Sequence, residues 1–119
     1  MQPKNNFTIH LLSIVIPAFK QEKTIVKDTE AIVKALDKTG YTYELVIVVD
    51  GFVDDTYKKA KELQSKKVKI IGYKNNEGKG YAVKFGMLHA KGDVIGFIDA
   101  GMDINPTGLK MLLNHMEWY

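Results

Sequence analysis

Short apolar blocks alternate along this chain with longer stretches in which apolar residues recur every three or four positions. Leu11 to Ile16, Tyr43 to Val49, Val68 to Gly72 and Val94 to Ile98 are blocks of the first kind and read as strands buried on both faces. The periodic stretches read as helices. In Glu22 to Asp37, the residues Val26, Thr29, Val33 and Leu36 share one face, and Gly40 follows where a helix ends. Asp54 or Asp55 is placed to cap a second helix that buries Tyr57, Ala60 and Leu63. A third helix opens at Asn75-Asn76-Glu77-Gly78-Lys79-Gly80 and buries Ala82, Val83, Gly86, Met87 and Ala90. A fourth starts with Asn105 as cap and Pro106 at its first position, with Leu109, Leu112, Leu113 and Met116 facing inward.

Strand and helix therefore alternate four times with short connections. Right-handed crossovers follow, giving an α/β fold: a Rossmann-like parallel sheet of about four strands with helices on both faces. The expected strand order is 3-2-1-4. That order leaves the 94–98 strand on an edge with no charge or proline to blunt it, so a homodimer through this exposed edge is expected. The 119 residues make a single domain, 1–119. Because the chain stops at Trp118-Tyr119 directly after the last helix, it reads as one half of a larger domain, truncated on its carboxyl-terminal side.

Composition narrows the chemistry. There is no cysteine, which removes disulfides and thiolate catalysis. All 17 basic residues are lysine, which binds phosphate as a point charge where arginine would grip it in a fork. The densest group, Lys58, Lys59, Lys61, Lys66, Lys67 and Lys69, lacks interleaved aromatic residues and reads as a solvated face, so no nucleic-acid partner is expected. The apolar blocks are far shorter than the ~20 residues that cross a bilayer. Met1 to Asn6 lack a signal peptide's pattern, making a cytoplasmic setting the default.

Acids at the ends of strands carry the functional reading, since open α/β sheets bind ligands at their carboxyl ends. Asp99 ends the 94–98 strand and Asp103 follows four residues later, a pair suited to Mg²⁺ or Mn²⁺ and its phosphates. Asp50 tips the second strand, where it could accept from a base imide or a ribose hydroxyl. After the first strand, Pro17-Ala18-Phe19-Lys20-Gln21-Glu22 exposes backbone that can meet a flat base. Asn76, Gly78 and Lys79 lie at a helix amino terminus, which favours an anion, although the spacing fits neither a P-loop nor the dinucleotide fingerprint. His10, His89 and His115 have no partner at ligand spacing and read as structural.

Taken together these segments resemble the family 2 glycosyltransferases of the GT-A fold, of the dolichol- or polyprenyl-phosphate mannose and glucose synthase type. Ser13-Ile14-Val15-Ile16-Pro17-Ala18-Phe19 looks like that family's first strand and Pro-Ala-Tyr-Asn-Glu turn. Val48 to Thr56 looks like its Asp-Asp-Gly-Ser-x-Asp-x-Thr segment, and Asn76-Glu77-Gly78-Lys79-Gly80 like its Asn-x-Gly-Lys-Gly helix start. Asp99-Ala100-Gly101 occupies the place of its metal-binding Asp-Ala-Asp. The departures are Phe19 for Tyr, Lys20-Gln21 for Asn-Glu, Val49 for the first Asp, Phe52 for Ser, and Gly101 for the second metal Asp, for which Asp103 is the nearest substitute.

The resemblance implies a nucleotide-diphospho-sugar (UDP- or GDP-sugar) as donor, with Ala18, Glu22 and Asp50 lining the nucleoside site, Lys79 near it, and Asp99 holding the cation against the diphosphate. It implies an acceptor such as a polyprenyl phosphate. Acceptor-side and catalytic residues, and any membrane helices, would lie past Tyr119, so the piece alone would have little activity. A receiver domain is disfavoured, because such a domain needs paired acids after the first strand, where Pro17-Ala18-Phe19-Lys20 stands. The competing reading is a degenerate, non-catalytic nucleotide-binding or dimerisation module.

Overall fold

The computed structural model describes residues 10–98 and the backbone of residues 117–118. The expected helix over 105–116, and with it Asp99, Ala100, Gly101 and Asp103, lies outside the described residues. The elements are β1 (Leu12–Ala18), α1 (Ile25–Asp37), β2 (Tyr43–Asp50), α2 (Thr56–Lys61), β3 (Val68–Tyr73), α3 (Lys79–His89), β4 (Val94–Phe97) and β5 (Glu117–Trp118). The sheet order is β3-β2-β1-β4-β5. Its first four strands are parallel, in the 3-2-1-4 order that the alternation of elements implies.

β4 is not the edge of this sheet. β5 pairs with it antiparallel, Gly96 opposite Trp118 and Phe97 opposite Glu117. A two-residue strand has no apolar run or period to announce it, which is why the alternation pattern misses it. The expectation of an open edge at 94–98 is therefore corrected at those two positions.

β1 runs two residues beyond Ile16, the expected end of the strand before Pro17. The Val15 carbonyl accepts the Ile98 N–H at 3.1 Å, so odd-numbered residues of β1 address β4. Pro17 shares that direction, and the ladder to β4 is paired only as far as Val15 opposite Phe97, so its missing N–H removes no bond from that ladder. On the side of β2, the register continues to Ala18 opposite Val49.

Period-two alternation sorts β1 and β2 between two layers. Leu12, Ile14, Ile16, Tyr43, Leu45, Ile47 and Val49 join the core formed with α1 and α2. Val15, Val46 and Val48 meet Ala82 of α3 on the other face. The buried stripe of α1 is Ile25, Thr29, Ile32, Ala35 and Leu36, with Val26 and Val33 at its margins rather than its centre. α3 crosses β1 and β2 closely because Gly86 has no side chain. A Cβ there would run into Val15 Cγ1 and come within 2.9 Å of Val48 Cγ2.

Candidate functional site

The turns after β1, β2 and β3 gather at the carboxyl end of the sheet. Asp50, the last residue of β2, points to the α3 side. Its Oδ1 accepts the Tyr73 hydroxyl at 2.7 Å and the Glu77 N–H at 2.8 Å, while Oδ2 accepts the Gly78 N–H at 3.0 Å. The carboxylate is thus the anion at the start of α3, where the helix dipole and unpaired N–H groups favour one. Next to it Gly51 has φ +93°, and a Cβ would lie 2.7 Å from the Asn76 nitrogen, so the 75–78 turn closes directly over glycine backbone. Burial and the bond to Asp50 push the Tyr73 phenol well above its ordinary value, so that hydroxyl remains a donor.

A second set of bonds joins the β1 and β2 turns. Asp54 Oδ1 accepts both the Thr56 N–H, at 2.9 Å, and the Thr56 hydroxyl, at 2.6 Å. The Thr56 oxygen in turn accepts the Gln21 N–H at 2.8 Å. Of the two candidate caps it is Asp54 that bonds the helix start, while Asp55 makes no side-chain cap bond. Burial works to raise the Asp54 carboxyl, but the bonds from Thr56 and Glu22 outweigh it and hold it below the usual carboxylate value. Gln21 Oε1 accepts the Phe19 N–H at 3.2 Å. Between them Lys20 adopts φ +50°, an uncommon conformation for a non-glycine residue and one that gathers at functional turns.

The rim of this end is apolar. Phe19 is 40% exposed, Phe52 44% and Val53 49%. The Phe52 ring leans on Tyr57, with centroids 4.5 Å apart, and its edge closes on Gly72. Lys79 places its ammonium 5.7 Å from the Phe97 ring centre, between α3 and the end of β4. An open groove of about 540 Å³ runs along the first turn, lined by Lys20, Gln21, Glu22, Lys23, Thr24 and Asp54.

All eight candidate site residues within the described chain are thus brought to one end: Pro17, Ala18, Phe19, Glu22, Asp50, Asn76, Gly78 and Lys79. Among the described residues no group of three or more His, Asp or Glu converges to hold a metal ion. Tyr73, Thr56 and Gln21 are the members that the sequence reading left out, and each is a polar group that bonds a loop acid or its partner. His89 binds the Phe85 carbonyl at 2.8 Å on its own helix, in keeping with a structural role.

The solved structures that this fold resembles are GT-A glycosyltransferases. Staphylococcus aureus TarS 1-349 in complex with UDP-GlcNAc matches with a TM-score of 0.67 at 23% identity, over 87% of this chain and 30% of that one. The mannosyltransferase PcManGT from Pyrobaculum calidifontis, in complex with GDP-Man and Mn²⁺, matches with a TM-score of 0.64 at 18% identity, over 80% of this chain and 28% of that one. At such identities the likeness is one of fold. Residues 13–119 match Glycosyl transferase family 2, and the chain belongs to that family. The human dolichyl-phosphate beta-glucosyltransferase is 32% identical over 98 residues, covering 75% of this chain. This chain spans about 30% of the length of the curated relatives it matches.

Proposed function

We propose that the chain forms the donor side of a sugar transferase, binding a nucleotide-diphospho-sugar at the carboxyl end of β1 to β3 for transfer to an acceptor such as a polyprenyl phosphate. The observation that carries this is the Asp50 clamp. One strand-end carboxylate fixes the glycine-rich start of α3 beside the β2 turn, which brings Lys79 to the same end of the sheet as the apolar rim. Lys79 supplies positive charge for a diphosphate, and the Phe19 and Phe52 rings offer flat apolar surface for a base.

Asp99, two residues past the end of β4 in sequence, is the proposed ligand for Mg²⁺ or Mn²⁺, with Asp103 second. Such a cation would neutralise charge developing on the departing nucleoside diphosphate. The chain's own residues bind and orient: Asp50 fixes the α3 start, and the Asp54–Thr56–Gln21 relay fixes the first turn. Titration calorimetry with UDP, GDP, UDP-glucose and GDP-mannose in the presence of Mn²⁺ should give saturable binding for at least one. Asp99→Asn should weaken the Mn²⁺-dependent part more than Asp103→Asn. Silence across all four would favour the non-catalytic module, a reading supported by the buried Val49 in place of an acid.

A further inference from the structure

We propose that this chain reads its nucleotide base by apolar contact rather than by hydrogen bonds, with Phe52 as the determining residue, so that it takes uridine and guanosine diphosphates with little discrimination. This rests on the donor-site reading above.

The first support is the fate of the acids that could read a base edge. Asp50 is 4% exposed, and its two oxygens already accept three protein donors. The 75–78 turn covers the glycine beside it. Val49, the position before it, is fully buried in the core on the opposite, α1 side of the sheet. Asp54 Oδ1 is held by Thr56, whose hydroxyl is held by Gln21, whose own Oε1 holds Phe19. Both oxygens of Asp50 and Oδ1 of Asp54 are therefore committed to the protein's own turns.

The second support is what the rim exposes instead. Five large apolar side chains are exposed among the described residues, and three of them (Phe19, Phe52 and Val53) follow the carboxyl ends of β1 and β2. Those strands are adjacent, Ala18 pairing with Val49, so the three project from neighbouring turns. Phe52 is braced by Tyr57, by Gly72 and by its N–H to the Lys74 carbonyl at 3.0 Å. A braced, half-exposed ring loses little freedom when a base stacks on it. Stacking accepts any base because every base has a π-face. Sites that hydrogen-bond a substrate edge reject the wrong one by 10⁴–10⁵, whereas apolar pockets manage on the order of 10–200-fold.

The test is calorimetry of the full chain with UDP, GDP, ADP and inorganic pyrophosphate, each with Mn²⁺. The expected result is that the three nucleotides bind within about tenfold of one another and all more tightly than pyrophosphate. Phe52→Ala should weaken all three by on the order of tenfold, leave pyrophosphate unchanged, and be rescued by Phe52→Trp. Thermal melting of both variants checks the brace. Should Phe52→Ala fail to fold, Phe19→Ala carries the same comparison. One nucleotide favoured by more than about 100-fold overturns the inference while leaving the donor site standing. So does pyrophosphate binding as tightly as the nucleotides. No binding by any of the four overturns the donor-site reading itself.

Discussion

Glu44 and Asp50 stand six residues apart on one face of β2 and hold the two ends of α3. Asp50 takes the N–H groups of Glu77 and Gly78 just before the helix. Glu44 Oε2 takes the Lys91 N–H at 2.7 Å just after it, together with the Ser13 hydroxyl at 2.6 Å, whose oxygen accepts from Gly92. Both carboxylates are buried, and a buried charge is tolerated only with such donors. One clamp faces the candidate donor site and the other faces away from it, so a single strand both anchors the helix and shapes the site.

The two ends should separate by mutation. Asp50→Asn turns one acceptor into a donor against backbone N–H and should cost about 2–3 kcal/mol in urea unfolding. Glu44→Gln should cost a similar amount. Only the Asp50 variant should also weaken nucleotide binding, measured by calorimetry at a temperature where both remain folded. Equal loss of binding in both would mean that the Asp50 clamp does nothing local at the site.

Gly86 tests how tightly α3 lies on the sheet. In an exposed helix, Gly→Ala gains up to about 1 kcal/mol. Here the added carbon collides with Val15 and Val48, and overpacking of that kind costs about 1–3 kcal/mol. Gly86→Ala should therefore destabilise by about 1–2 kcal/mol net, and the double variant with Val15→Ala should lose less than the sum of the two single losses. Thermal unfolding of the four-member cycle checks both statements. A stabilised single variant would show that α3 sits further from β1 than the structure has it.

The four parallel strands were legible because each is mostly apolar, and their order because short alternating connections admit few topologies. What the sequence concealed depends on partners far along the chain. Asp50 looked like a free acceptor at a strand tip, yet its donors come from a turn 27 and 28 residues later. Pro17 looked like a strand stop because the length of its neighbour is not written locally. Ser13 and Glu44 carried an unused signal: polar residues beginning strands buried on both faces must have partners. Phe52 registered only as a departure from a motif, since its exposure and its brace exist only in three dimensions. Asp99 and Asp103, the proposed metal ligands, lie outside the described residues.

The Asp54 relay should show in the acid limb of stability. Its carboxyl titrates lower in the fold than the ordinary value of 3.8. A depressed folded value gives stability that is present above the unfolded value and lost as pH falls through the folded one. Asp37, through the Tyr43 hydroxyl, and Asp93, through the His10 and Leu11 N–H groups, add terms of the same sign. Unfolding free energy should thus fall below about pH 4, and Asp54→Asn should make that fall shallower without abolishing it. An unchanged slope, measured by urea titration from pH 2.5 to 6, would remove Asp54 from the set.

The pairing of β5 with β4 makes the association state testable. Strand edges with unpaired N–H and C=O groups recruit other edges, and natural sheets cover them. β5 covers Gly96 and Phe97, where β4 would otherwise end the sheet. The full chain should therefore run as a monomer in size-exclusion chromatography with light scattering. A chain ending at Met116 should show a higher, concentration-dependent mass, and Ile95→Pro in that shortened chain, at a position whose N–H faces away from β1, should bring the mass back down by denying the edge a donor. If the full and shortened chains have the same mass at every concentration, β5 is not what keeps the edge from pairing.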